Sequence, residues 1–336
     1  MRKLICCIIT LLLVYGICSG SQKQEMIQKK TIKAVRGGSS VGFFSVFLYA
    51  LNHLEWCLRN NFTPVIYWTK ISAYYSPRGY NGSTNVREYY FEHVSDMKWV
   101  KKDPIYSKRY YHSEFSAIWF YAQYIDNLRK IHNSPDIKII HVPGHDYSVP
   151  FFDKQRPITG MGFVGAQNQK HLYDPEFRHF VKHEILDRFV RIKQCISEKI
   201  DTFYAMHMQG KKTIGIHLRG NFLNNWEVID VPTQYLLDAA NEIGGEDYQY
   251  FIATDQQPLL DEAIQKLKGN VIAYNFKRGE STSSPLKPQQ LTPEDGENML
   301  IEAILLSKCD YFIHTLSRVS TAVLYFNPEM SHTLIY

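Results

Sequence analysis

The stretch Lys212-Thr-Ile-Gly-Ile-His-Leu-Arg-Gly-Asn221 sets a cation at a place where chemistry can be staged. Thr213 to Ile216 make a short, β-branched apolar run, the pattern of a buried strand in a parallel sheet. The run stops abruptly on His217, Leu218 and Arg219, and a turn signal, Gly220-Asn221, follows. In open α/β sheets, ligands bind just beyond the carboxyl ends of the strands. An arginine there has a planar fork that suits phosphate oxygens. It could equally pair with a carboxylate at the strand end, and the local sequence leaves both readings open.

The elements that must hold Arg219 are legible in the second half of the chain. Strand 213–218 precedes a helix over 232–243 and a strand over 248–254. Then come helix 258–267, strand 271–274, a polar loop over 275–291, helix 292–307, strand 310–314, helix 317–326 and strand 332–336. Thr292-Pro-Glu-Asp295 offers an N-cap, a proline at the first helical position and acids in the first turn. Five strands alternating with four helices predict a parallel, Rossmann-like sheet. Its carboxyl edge gathers Arg219, Asp255, Asn275 and Thr315. The helix opening at Ser317-Arg318 points its amino end, with partial positive charge, at the same edge. An arginine, a carboxylate and a helix amino end with hydroxyls make a nucleotide-diphosphate site, and no side-chain set there suggests a tightly held metal or a cofactor.

The first half is less regular. Thr31 to Val35, a glycine turn at Gly37-Gly38, apolar residues at helical spacing over 42–60 and Pro64 to Trp68 read as β–turn–α–β. The turn lacks a P-loop lysine and is expected to line the cleft. Residues 70–135 are crowded with aromatics such as Tyr74, Tyr89, Tyr90, Trp99 and Trp119, which either offer ligand platforms or fill a core. A helix over 114–131 and a strand over 137–142 are expected. Gly160-Met-Gly-Phe-Val-Gly165 matches a dinucleotide fingerprint by letter but has neither the strand before it nor the helix after it. One long polar-basic helix is expected from Pro175 to Met208. His179 and His183 lie four apart on it and could in principle chelate a metal, although no third ligand accompanies them. A solvated basic face is the plainer expectation.

With 45% hydrophobic and 21% charged residues, the composition is that of a globular protein able to bury sizeable cores. The formal charge of +5, part of it from Arg2 and Lys3, is too small and scattered to argue for nucleic-acid binding. Arg2 and Lys3 before the apolar run Leu4–Cys18, with Ser19-Gly20-Ser21 after it, read as an export signal or a single N-terminal membrane anchor. Beyond that leader, Cys57, Cys195 and Cys309 are odd in number and widely spaced, so no disulfide framework is expected. Asn61-Phe62-Thr63 and Asn81-Gly82-Ser83 are glycosylation sequons.

Ile216-His-Leu-Arg219 with Glu227 and Val231-Pro232, then Ala253-Thr254-Asp255, then Leu306-Ser-Lys-Cys-Asp310 with Thr315-Leu-Ser317, resemble three successive motifs. They are similar to those of the α-1,6-fucosyltransferase and nodulation fucosyltransferase family, within the protein O-fucosyltransferase superfamily. The glycine-rich opening at Gly37-Gly38 also fits. The resemblance implies a GT-B-like α/β fold of two Rossmann-like domains and an inverting, metal-independent transfer of fucose from GDP-fucose to a glycan or glycoprotein hydroxyl. With the leader set at 1–20, it implies an acceptor-side domain over 21–172 and a nucleotide-sugar domain over 173–336. Carried over by position, Arg219 grips the donor diphosphate and Glu227 takes the acceptor proton. Asp255 and Glu302 contact the donor, and Ser317 lies at its phosphate end. His217, Gly220, Thr315 and Arg318 flank these positions. Asp295, Asn298 and Glu302 also share one helical face, so Glu302 could simply be solvated. Gly220, Phe222 and Leu223 stand where the family has a second arginine, an aspartate and a lysine. That leaves open a glycan-binding relative without turnover, or the same fold using another nucleotide sugar.

Overall fold

A computed structural model of the chain describes residues 30–35, 42–59, 62–68, 72–97, 174–219, 231–280, 291–315 and 317–335. The leader, Gly37-Gly38, the elements expected between 114 and 142, the Gly160–Gly165 run, Gly220 and Glu227 lie outside the described residues.

At the amino end, β1 (Lys30–Val35), α1 (Phe43–Arg59) and β2 (Phe62–Tyr67) form the expected βαβ unit. The two strands pair in parallel from Lys30 opposite Phe62 to Val35 opposite Tyr67. Helix α1 buries Phe44, Phe47, Leu48, Leu51 and Leu54, the positions its apolar spacing marks as one face. Around it the aromatics of 72–97 are core rather than platform: Tyr74, Tyr89, Tyr90 and Phe91 are buried, and Phe43 meets Tyr90 edge-on at 4.9 Å.

The expectation of one helix from Pro175 to Met208 is corrected. Helix α2 (Pro175–Phe180) continues as a π-helical turn, Val181–Leu186, and one last α-helical turn, Asp187–Phe189. Val190 is extended, and α3 (Gln194–His207) starts afresh. The cause is a competing pairing. Glu92 N–H donates to the Arg191 carbonyl at 2.7 Å, and Lys193 N–H donates to the Tyr90 carbonyl at 2.9 Å. Backbone groups of 191–193 are thus taken by the aromatic segment and cannot continue a helical ladder.

The second half then alternates as expected: β3 (Thr213–His217), α4 (Thr233–Ile243), β4 (Gln249–Ala253), α5 (Gln257–Lys266), β5 (Val271–Ile272), α6 (Pro293–Ser307), β6 (Tyr311–His314), α7 (Arg318–Phe326) and β7 (His332–Leu334). The five strands lie in the order β5-β4-β3-β6-β7, and every pairing is parallel. The outer strands are shorter than the sequence suggests, because β5 and β7 are half-buried and pair on one side only. Both faces are covered. Tyr250 and Ile252 point to the layer with Leu236, Leu237 and Ala263, while Phe251 and Ala253 point to the layer with Leu300, Leu305 and Val323. Thr292 and Asp295 make a reciprocal capping box at the start of α6.

That strand order matters for function. The chain builds outward from β3 to β4 and β5, then returns to the other side of β3 as β6 and β7. The reversal falls at the carboxyl ends of β3 and β6, the place where ligands bind in open α/β sheets.

Among the described residues no helix is long and apolar enough to cross a membrane. Cys57, Cys195 and Cys309 are all free, Cys57 and Cys309 buried. The second sequon is engaged internally: the Asn81 amide donates to the Tyr89 carbonyl at 2.8 Å and to Glu297 at 3.2 Å.

Candidate functional site

At the β3–β6 edge a relay of hydroxyls fixes the hydrogens of the site. Ser317 caps α7, its Oγ accepting from the Ser320 N–H at 3.0 Å. The Ser320 hydroxyl donates to the Thr315 carbonyl at 2.8 Å. The Ser317 hydroxyl therefore donates to Ser320 Oγ, 2.7 Å away. Ser317 Oγ has then spent its hydrogen, so its contact with His217 Nδ1 at 3.3 Å requires the ring to donate. His217 is thus the Nδ1–H tautomer, and Nε2 carries the lone pair.

Charge state agrees with that assignment. Burial, then the nearby Arg219 and His314, push His217 down to about 3, so the ring is neutral near pH 7. His217 therefore acts at this edge as a hydrogen-bond acceptor and leaves positive charge to Arg219 and the amino end of α7. Arg219 is half-buried directly after β3, close enough to influence both His217 and Asp255.

His314, at the end of β6, is fully buried, and burial first of all holds it near 3. Its Nδ1 donates to the Thr315 carbonyl at 3.0 Å, so its Nε2 must accept from His332 Nδ1 at 3.1 Å. His332 Nε2 in turn accepts from Arg178 at 3.3 Å. A directed chain from α2 through β7 and β6 therefore fixes the carbonyl just before the α7 cap.

The β4 end holds a second cluster. Glu302 on α6 is 7% exposed, so of the two alternatives for it the solvated position is excluded. Its helix lies beneath the sheet edge, so the face that carries Asp295 and Asn298 turns inward one turn later. Arg278 reaches Glu302 Oε1 at 3.1 Å. The same guanidinium donates to the carbonyls of Thr254 at 3.0 Å and Tyr274 at 2.7 Å, and stacks 4.2 Å over Phe276. Burial pushes the Glu302 carboxyl up to about 8, against the pull of Arg278. Asp255 is open to solvent, yet protein packed around its carboxyl raises it, opposed by its own backbone N–H, Arg219 and Arg278. Gly279 N–H donates to the Asp255 carbonyl at 2.8 Å, which folds the 276–279 segment back over the start of α5.

Of the expected residues, the structure brings His217, Arg219, Asp255, Glu302, Thr315 and Ser317 to one edge, with Arg318 at the first position of α7. Asn275 is exposed beyond β5. Arg278 escaped the sequence reading because it lies in what reads as a polar loop. Its one signal is a basic pair, Lys277-Arg278, in the loop after the edge strand β5. Among the described residues no group of three or more His, Cys, Asp or Glu side chains could hold a metal ion.

No family model matches the chain, and no curated protein matches it by sequence. Solved structures do. A NodZ alpha-1,6-fucosyltransferase soaked with GDP-fucose is similar at TM-score 0.52 and 16% identity, over 90% of this chain and 94% of that one. A fucosyltransferase NodZ from Bradyrhizobium is similar at TM-score 0.49 and 16% identity, over 89% of this chain and 92% of that one. An Arabidopsis thaliana FUT1 mutant in complex with GDP is similar at TM-score 0.46 and 10% identity, over 92% and 70% respectively. At 16% identity the first of these establishes a shared fold, the GT-B-like α/β architecture.

Proposed function

We propose that the chain is an inverting glycosyltransferase that moves fucose from GDP-fucose to a hydroxyl of a glycan or glycoprotein. One observation carries the reading: Arg219, neutral His217 and the Ser317-capped amino end of α7 meet at the β3–β6 reversal. The diphosphate lies against Arg219 and the first turn of α7, whose amides and partial charge suit an anion. His217 Nε2 accepts from a donor hydroxyl. Asp255 and Glu302 contact the donor from the β4 side. As a neutral acid near pH 7, Glu302 can both donate and accept, which suits a base edge bearing N–H and C=O groups.

In the transfer, the acceptor oxygen attacks the anomeric carbon as the bond to the diphosphate breaks on the opposite face, which inverts the centre. The electron pair leaves with the diphosphate, whose growing charge Arg219 and α7 stabilise. Glu227 takes the acceptor proton as general base. Its role rests on the resemblance of its position to the base of the fucosyltransferase motif that begins at Ile216. Residues 21–172 form the acceptor side, and an exported chain would work in a compartment that supplies nucleotide sugar.

The replacements at Gly220, Phe222 and Leu223 favour a second reading, a glycan-binding relative or a different donor sugar. Calorimetric titration of the purified chain with GDP-fucose, GDP-mannose and UDP-sugars separates them. The main reading expects GDP-fucose to bind most tightly and to be hydrolysed or transferred. Binding to free glycans with no nucleotide sugar bound would reject it.

A further inference from the structure

Away from the transfer site, the π-helical turn after α2 brings together two histidines and two carboxylates. His179 Nδ1 lies 3.4 Å from His183 Nε2. The ring centroids are 5.6 Å apart, so both of these nitrogens sit on the facing edges of the rings. The outer nitrogens are each held by an acid. His179 Nε2 meets Glu329, in the turn between α7 and β7, and His183 Nδ1 meets Asp187 at 3.0 Å. Carboxylate oxygens only accept, so each outer nitrogen carries its hydrogen, and a neutral imidazole has no second one. Two lone pairs are then left facing each other, an arrangement that a cation completes.

The geometry fits a metal ion. Nitrogens bound at about 2.0–2.1 Å to one tetrahedral ion stand about 3.4 Å apart, the separation already present, and rotating the rings aims both lone pairs at one point. A carboxylate on the far nitrogen is the usual way that an imidazole ligand is oriented and made more basic, and here both rings have one. Lys182 also pairs with Asp187 and takes part of its charge. The side chains are 38% and 60% exposed for His179 and His183, which leaves room for water to fill the remaining positions. Breaks of π geometry in α-helices often mark functional sites.

We infer that His179 Nδ1 and His183 Nε2 chelate one late first-row divalent ion, zinc, nickel or copper, with water completing its coordination. Imidazole suits these ions; zinc takes the present spacing, whereas copper, which should bind most tightly, prefers a tetragonal site with adjacent nitrogens about 2.9 Å apart and draws the two exposed rings closer. Through Glu329 and His179, the bound ion fastens α2 to the turn before β7.

Titration of the full chain with copper(II), followed by calorimetry and electron paramagnetic resonance, tests this. One equivalent should bind with coupling to two imidazole nitrogens. Its affinity should fall at least about tenfold in His179→Gln and in His183→Gln, and by about tenfold in Glu329→Gln. The chain holds 13 histidines, so the loss in these exposed-site variants is the readout rather than binding alone. The variants' metal-free thermal midpoints confirm folding, and metal should raise the midpoint of the unsubstituted chain but not of either histidine variant. Unchanged copper affinity in either histidine variant, or no copper bound by the unsubstituted chain, overturns the inference.

Discussion

Replacing Glu302 with glutamine tests the electrostatics of the β4 cluster most directly. Glu302 is buried on α6 beside Arg278, and burial moves its carboxyl from the usual 4.5 to about 8. At about 1.4 kcal/mol per pH unit, that difference favours the neutral form by about 5 kcal/mol. The folded protein holds this proton more tightly than the unfolded chain does. Its contribution to stability is therefore fully present below about pH 4.5 and is lost as pH rises through about 8. His217 and His314, both held near 3, act in the opposite sense. Their contribution is present above about pH 6.5 and is lost as pH falls toward 3. Comparing unsubstituted protein with Glu302→Gln cancels those two histidines and the raised Asp255, since all three are common to both. Glutamine keeps an oxygen for Arg278 but cannot accept from the Thr254 N–H with its amide nitrogen, a cost that does not vary with pH. The slope, not the absolute stability, is thus the readout. Urea denaturation at pH 5, 6.5, 8 and 9 should show the stability difference growing in favour of the glutamine variant, by about 4 kcal/mol across the range. Parallel curves from pH 5 to 9 would refute the buried, proton-holding Glu302.

Arg219→Ala should weaken nucleotide-diphosphate binding by about ten- to a hundredfold, the loss of a charge-assisted contact, measured by calorimetry; Arg318→Ala should weaken it too, and an unchanged donor affinity would remove Arg318 from the site. Ser317→Ala removes the α7 cap and the partner of His217, and should cost about 1 kcal/mol of stability in denaturant titration as well as donor affinity. Gly296→Ala would set a Cβ 2.4 Å from the Tyr90 hydroxyl and 3.1 Å from the Tyr74 ring, both in the core, and overpacking of this kind should cost about 1–3 kcal/mol by thermal unfolding.

What sequence alone determined here is the alternation. Short apolar runs and helices of regular period, together with the Thr292–Asp295 box, specify local structure through contacts within a few residues, and the five-stranded parallel sheet follows from their order. Because a strand's carboxyl end is defined by chain direction, Arg219, Asp255, Thr315 and Ser317 could be placed on one edge without coordinates. Three things depended on tertiary contacts between distant segments. The helix expected from Pro175 to Met208 breaks because the backbone of Tyr90–Glu92, about a hundred residues earlier, captures 191–193. Glu302 looks like one more polar residue on a capped helix, and only the packing of α6 under the sheet buries it against Arg278. The tautomer of His217 is set by a relay of hydroxyls through Ser317, Ser320 and Thr315, since a ring nitrogen donates or accepts according to its neighbour's spare hydrogen, and that neighbour is 100 residues away.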